Sequence, residues 1–495
     1  MDSPHSSTPR PAAADPGATS LLSRNLGVGP IVFMVVAAAA PLAVVAANLP
    51  VLIAQSANAG APYYFLACTA LLLLFSIGFT LMSRYVPNAG AFYSYIQAGL
   101  GRVTGTGAAA VAIASYLLLL IGVTAYFGVA AGNLLPGGIP WWVFSLGLLA
   151  LVAVLGYRDI ELSSKVLLVA LALETLVVIA LDIGVLIHSG RTSAAATVPL
   201  STLGEGVPAL GVMFAFYSFI GFEATAVFRN EARDPDRTIP RATYIAVVAI
   251  GLFSAVSAWF VVTGVGTGQI VSRSADDPEN VVLDLISTVV GPIVADVAKV
   301  LLVSSFLACA LSFHNIVTRY VFALGRTKML PARLGEVSTR HHAPSRSSLL
   351  VSVVSVVVLL AAIGTGLDPV TVVFTLAGAA SSLGVVILMT LVGLATVVYF
   401  RKVETGRSRW STTVAPMIST LGLAVILVLV IANFNLMTGT QAQAYGVMGF
   451  VLAAFLAGAG GALITRRRRP GVYARLDDST SRPGPVTENT PQLSN

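Results

Sequence analysis

Long apolar runs separated by short polar stretches organise this chain. Runs of about 20 residues recur along nearly its whole length, each long enough to cross the roughly 30 Å hydrocarbon core of a bilayer as a helix. Twelve spans are predicted, at about 27–54, 61–83, 105–132, 140–157, 163–188, 208–228, 242–266, 291–323, 347–365, 369–399, 412–435 and 443–465. The flanks break the pattern. Residues 1–23 are rich in Ser, Pro and Ala, with no apolar core of the kind a signal peptide carries. Residues 466–495 open on Arg466 to Arg469, a membrane-edge anchor, and continue as polar, Pro/Ser/Thr-rich chain. Both flanks are expected to be disordered, because neither has enough apolar area to offset the entropy of ordering.

Composition agrees with the pattern and narrows the function. The chain is 56% hydrophobic and 10% charged over 495 residues, against roughly 45–50% and 25% in soluble globular chains. A polytopic all-α membrane protein is the expectation. Cys68 and Cys309 both fall inside apolar runs, and no CxxC or Cys/His spacing is present, so neither a disulfide framework nor a metal site is expected. The net charge of +7 sits largely at membrane edges rather than in a nucleic-acid-binding patch. Of the 29 Lys and Arg, 26 lie on the side that carries both termini, Arg191 and Arg273 on the other, and Lys299 within a span. By the positive-inside rule both termini are cytoplasmic. Only four lysines against abundant Ala, Gly and Val suit a bacterial plasma membrane. No G-x-S-x-G, HExxH or Walker A loop occurs, so an enzyme or an ATP-driven pump is not expected, and no cofactor is implied.

Two interruptions stand five spans apart. Span 1 carries Ala38-Ala39-Ala40-Pro41 at its centre, where proline removes a backbone donor and clashes with the preceding turn. Span 6 carries Phe219-Ile220-Gly221-Phe222 followed by Glu223 in mid-membrane. Small residues also serve plain helix packing. Matched breaks near the midplane, however, are the footprint of transporters built from inverted repeats.

Three further segments carry a resemblance. Pro87-Asn88-Ala89-Gly90-Ala91-Phe92-Tyr93-Ser94-Tyr95 is similar to the P-x-A-G-G-x-Y-x-Y segment of the amino acid/polyamine/organocation (APC) transporters. Glu231 through Ala242 resembles their E-x-x-N/D-P-x-R-x-I-P-R-A loop, and Thr318 through Arg326, with Leu330-Pro331, resembles the run that closes span 8. The resemblance covers about residues 24–465. It implies a LeuT-type fold with a first repeat over 27–188, a second over 208–399, two peripheral helices over 412–465, and spans 1 and 6 unwound at the site. It also implies a small-molecule substrate, an amino acid or related amine, held by the backbone of Ala38, Ala39, Ala40 and Pro41 and of Ser218, Phe219, Ile220 and Gly221. The family has Gly-Ser/Ala-Gly where this chain has Ala38-Ala39-Ala40. Tyr217 becomes the aromatic lid, with an ordinary core or lipid-facing ring as the plain alternative. Secondary active transport by alternating access follows, as symport with exchange (antiport) as the alternative, and with a channel or a non-turning-over sensor as rivals.

The coupling ion is read from buried acids. Glu223, Glu174 and Asp182 lie inside spans, where a charge is expensive and usually functional or paired. Glu174 and Asp182, eight residues apart, share a helix face about 12 Å along. Glu174 falls where some proton-coupled relatives carry a lysine. It is expected to be a protonatable group or a sodium ligand beside Ser304 and Ser305, with a proton preferred and an internal ion pair as the plain reading. Asp182 has an interfacial position as its alternative. Lys299 and His314 are either members of this network or polar residues facing an internal cavity. Glu231, Asp234 and Asp236 are candidates to pair with Arg84, Arg319 or Arg326 in an inner gate, in loops that otherwise read as solvated connectors.

Overall fold

A computed structural model describes residues 26–86, 91–135, 137–158, 164–188, 198–338, 343–403, 406–438, 440–474 and 476. Eleven helices among them are long and apolar enough to cross a membrane, and the shorter apolar helix Pro208–Tyr217 opens the interrupted span 6. Span 1 runs over Val28–Ser56, span 2 over Ala61–Tyr85, span 3 over Arg102–Gly132, span 4 over Trp141–Arg158 and span 5 over Ser164–His188. Span 7 is Pro235–Val265, span 8 Pro292–Arg326, span 9 Ser345–Gly364 and span 10 Pro369–Lys402. Spans 11 and 12 are Trp410–Thr438 and Gln441–Arg468. The protein is a multi-pass, all-helical membrane protein.

Burial sorts the spans into two layers. In its most apolar stretch span 3 is 72% buried inside the protein, whereas span 12 is 17% buried. Span 3 is therefore the central post. Spans 4, 5, 9, 11 and 12 turn rows of Leu, Val and Ile outward, the expected lipid-facing surface where tails are as apolar as the side chains.

Both expected breaks are present, and they position everything else. Helix Val28–Ala39 ends at Ala40, whose φ of 50° and ψ of 77° are left-handed and whose N–H returns to the carbonyls of Val36 and Ala37. Helix resumes at Pro41, a position where a missing N–H costs nothing. It then widens into a π-turn over Val44–Asn48 before Leu49–Ser56. In span 6 helix Pro208–Tyr217 gives way to linked turns over 218–223, with Gly221 at a φ of 113°, before Ala224–Val227.

Two stretches differ from the expectation. Span 7 begins at Pro235 rather than near 242, because Pro235 starts the helix and Pro240 is accommodated inside it. Helix also extends past the last span through Pro470–Ala474, with the Arg102 guanidinium over the Tyr473 ring and the Gln97 amide donating to the Leu476 carbonyl at 2.6 Å. The expected 1–23 flank, residues 87–90 of the first motif and His341-His342 lie outside the described residues.

On the side that carries the basic loops, the start of span 1 is tied down. Arg233 N–H donates to the Leu26 carbonyl at 3.0 Å, and Ile31 packs with Ala232, Ile239 and Ala242. Asp236 pairs with Arg229 at 2.6 Å and Asp234 approaches Arg237 at 3.7 Å. Arg319 and Arg326 lie over the rings of Phe228 and Phe322, and Arg84 lines a surface pocket with Asp236 and Arg407. The Glu231 side chain lies outside the described residues.

Candidate functional site

The two breaks meet at one cavity. It has a volume of about 40 Å³, and its walls include Ala38, Ala39, Ala40 and Ala43 of span 1 and Tyr217, Ser218 and Ile220 of span 6. Spans 3, 8 and 10 complete it with Leu119 and Val123, with Phe306, Cys309 and Phe313, and with Phe374. No charged side chain lines it. Its polarity is that of interrupted backbone, with the Asn48, Tyr217, Ser218 and Cys309 side chains beside it.

Helix ends supply that polarity in two signs. The first N–H groups of a helix have no acceptor within it. Pro41 lacks one, which leaves those of Leu42 and Ala43 at the start of the resumed helix. Across the break, the last carbonyls of Val28–Ala39 present partial negative charge. One of them is occupied: Cys309 Sγ donates to the Ala38 oxygen at 3.1 Å. The lining therefore offers donors for an anionic group, acceptors for a cationic group, and an apolar chamber beside them.

Span 6 holds its own unwound segment open. Glu223 is 2% exposed, and its carboxylate accepts the Gly221 N–H at 3.0 Å and the Tyr116 hydroxyl. A carboxylate reaching back two residues clamps the turn, and Tyr116 fixes that clamp to span 3. Asn48 in the π-turn of span 1 donates to the Phe214 carbonyl at 2.9 Å and to Ser218 Oγ at 2.7 Å, which joins the two breaks. The Tyr217 ring packs edge-on against Phe374 with centroids 5.7 Å apart, and its hydroxyl has no partner among the described residues.

The remaining acids separate. Glu174 is buried and accepts the Ser305 hydroxyl at 2.9 Å, with the Leu42 backbone facing the same carboxylate. Ser305 and Cys309, four apart on span 8, share a face. One helix surface thus touches both Glu174 and the Ala38 carbonyl at the span 1 break. Ser304 bonds the Leu301 carbonyl at 2.8 Å instead of Glu174. Asp182 is buried against span 7, where Ser257 Oγ donates to it at 3.0 Å, and does not line the cavity. Lys299 and His314 belong elsewhere. Lys299 pairs with Asp296 at 2.9 Å, and His314 Nε2 lies 3.0 Å from Ser352 Oγ on span 9. Among the described residues no cluster of His, Cys, Asp and Glu could hold a metal ion.

Sequence reasoning passed over Asn48 and the apolar wall. Asn48 was detectable as a lone amide within an apolar run, next to Leu49-Pro50. Leu119, Val123, Phe306, Phe313 and Phe374 carry no such signal, since any apolar residue suits a span. Cys309 was visible only as an unpaired thiol.

The profile of the amino acid permease family matches residues 26–457. A low-affinity putrescine importer of Escherichia coli K12 is 23% identical over 303 residues, which are 58% of this chain and 65% of that protein, just under two thirds of its length. A branched-chain amino acid permease of Lactococcus lactis is 23% identical over 328 residues, 62% of this chain and 69% of that protein. An uncharacterized transporter of Mycobacterium tuberculosis is 31% identical over 139 residues, 28% of this chain and 30% of its own.

Proposed function

This chain belongs to the amino acid permease family, and we propose that it is a secondary transporter that carries an amino acid, or a related amine, across a bacterial plasma membrane by alternating access. The observation that carries this reading is the meeting of two interrupted spans at a cavity with donors on one rim and acceptors on the other. A substrate carboxylate is placed at the Ala43 N–H, its ammonium at the Ala38 and Ala39 carbonyls, and its side chain against Leu119, Val123, Phe306 and Phe374. The lining has no arginine to pair a second carboxylate and no acid to pair a second ammonium. A neutral amino acid with an apolar side chain fits best. The Lactococcus relative is named for branched-chain amino acids, which favours that choice; the Escherichia relative is named for putrescine, which keeps an amine as the second reading.

Proton-coupled symport is the proposed mode, with Glu174 as the coupling group. Glu174 touches span 8 through Ser305 and faces the resumed helix of span 1 at Leu42, so a change in its charge reaches the break directly. Sodium is less well served: of the two serines proposed as ligands, only Ser305 reaches Glu174. Glu223 is occupied as a clamp, and Asp182 sits off the cavity. Both termini are assigned to the cytoplasm by the basic loops.

Uptake by proteoliposomes tests this. Leucine uptake should rise as external pH falls and be indifferent to sodium. Glu174→Gln should still exchange leucine across the membrane but lose accumulation driven by a pH gradient. An absolute sodium requirement at constant pH, or normal pH-driven accumulation by Glu174→Gln, removes the proton assignment. The absence of uptake of every amino acid and diamine tried removes the transport reading.

A further inference from the structure

A second cavity of about 30 Å³ is stacked on the first along the same faces of spans 3 and 8. On span 3, Leu119 and Val123 line the central cavity, and Tyr126, Val129 and Asn133 line the second. On span 8 the order is Cys309 and Phe306, then Leu302 and Lys299. These spacings of three and four residues keep one helix stripe facing one path. The rings of Tyr126, Phe306 and Phe374 separate the two chambers, with centroids 4.9 and 5.0 Å apart. Glu279 and Asn280, between the helices Ile270–Asp276 and Val281–Val289, close the far side.

The second chamber differs from the first in carrying charge. Glu279 faces it, and no cation lies within ion-pair distance of that carboxylate among the described residues. Lys299, on the same wall, is engaged by Asp296 at 2.9 Å. Asp277 and Asp368 stand nearby, the first accepting from Asn280 and the second capping the start of span 10. Burial and these two neighbouring carboxylates push the Glu279 carboxyl above its ordinary range, with the Asn133 side chain beside it acting in the opposite direction. An independent sign points into the same chamber. The Tyr126 residue is 1% exposed, and among the described residues its hydroxyl has no hydrogen-bond partner.

We propose that this chamber is an outer docking site for the substrate's ammonium group, received by the Glu279 carboxylate with the Tyr126 hydroxyl before the aromatic layer parts. It rests on the transport reading above and deepens it. The volume admits an ammonium head and little more, so the rest of the molecule stays outside the chamber. Selection for a free amine, whether on an amino acid or a diamine, is then made at the outer mouth, while the central cavity selects the body.

The test uses full-length protein in lipid vesicles with Cys68 and Cys309, both buried, left in place. Val129→Cys, and Asn280→Cys as a second position, are labelled with a cationic and an anionic methanethiosulfonate of similar size. The cationic reagent should react about tenfold faster, as expected near an uncompensated carboxylate. Adding Glu279→Gln should bring the two rates together, and saturating putrescine or leucine should protect the thiol. In uptake, Glu279→Gln and Tyr126→Phe should raise KM, the former by about tenfold, with a smaller change in Vmax. Equal labelling rates at both positions, no effect of Glu279→Gln, or no protection by either amine overturns the outer site. Labelling preference and protection without uptake of either probe sink the transport reading and leave the site standing. Uptake with a normal KM in Glu279→Gln does the reverse.

Discussion

Spans 1 and 6 are both interrupted at the depth of the central cavity, yet they are interrupted by different means. In span 1 one residue turns: Ala40 adopts a left-handed conformation, Pro41 restarts the helix at once, and the left-handed residue caps the helix before it with two carbonyl contacts. In span 6 six residues turn, one of them at a φ open to glycine, and the backbone is supported by a side chain, Glu223, anchored to span 3 by Tyr116. The tight break holds itself by backbone bonds and presents its helix ends to the cavity. The wide break depends on a clamp and presents its turns and the Tyr217 ring. A site that must both recognise and release can use one of each.

The contrast predicts that span 6 is the more fragile of the two. Gly221→Val should have the largest effect. A β-branched residue at a φ of 113° is strained by about 1–3 kcal/mol. An added Cβ would meet only Ala38 Cβ at 3.9 Å, so the penalty lies in the backbone and not in a clash. Uptake should be lost and the thermal midpoint lowered. A Gly221→Val protein with normal uptake and midpoint would erase the distinction between the breaks.

Glu223 separates clamp from coupling. Glu223→Leu leaves the Gly221 N–H and the Tyr116 hydroxyl buried without an acceptor, at about 1–3 kcal/mol for each group. Glu223→Gln keeps an acceptor and the shape. Thermal unfolding should therefore show a large drop for Leu and a small one for Gln, and Glu223→Gln should retain accumulation driven by a pH gradient. If Glu223→Gln unfolds as readily as Glu223→Leu, the carboxylate's charge matters more than its geometry.

Tyr217 belongs to the wide break as its lid. Tyr217→Ala removes the edge contact with Phe374 and should weaken substrate binding by about tenfold, with a modest loss of stability. Tyr217→Phe should leave the thermal midpoint unchanged because the hydroxyl has no partner among the described residues. Any affinity it does lose measures a bond between that hydroxyl and the substrate. Titration calorimetry on the two variants resolves the pair.

Much of this was legible in sequence, and the reasons are physical. Spans are easy, because a bilayer demands about 20 apolar residues and punishes exceptions. The breaks were legible at Pro41 and at Gly221-Phe222-Glu223, where a missing donor, a missing Cβ and a buried acid each violate helix or membrane rules. The division of labour among the acids was not. Whether Glu174, Asp182 or Glu223 faces a serine, a tyrosine or a backbone N–H depends on helix rotation, which an apolar run does not encode. The same holds for Ser304 and Ser305, adjacent in sequence and about 100° apart in direction. The second chamber was also invisible, since Tyr126, Asn133, Glu279 and Lys299 come from segments joined only by packing.

The smallest expected effect falls on the tight break. A non-glycine residue in the left-handed region costs about 1–2 kcal/mol, so Ala40→Gly relieves strain in the folded protein. Glycine also frees the unfolded chain by about 0.5–1 kcal/mol relative to alanine, which offsets much of that gain. The family's glycine-bearing pattern at this break and this chain's alanines are thus close in stability by physical argument. The thermal midpoint of Ala40→Gly should lie within a degree or two of the parent, a change of about 1 kcal/mol or less. The substitution adds freedom where helix Val28–Ala39 ends, beside the Cys309 contact to the Ala38 carbonyl. Uptake should therefore change in KM before Vmax, because the acceptor rim loses alignment while the cavity keeps its walls. A large fall in midpoint would mean that Ala40 is held by packing of its methyl group, and that the span 1 break, like the other, relies on support from its neighbours.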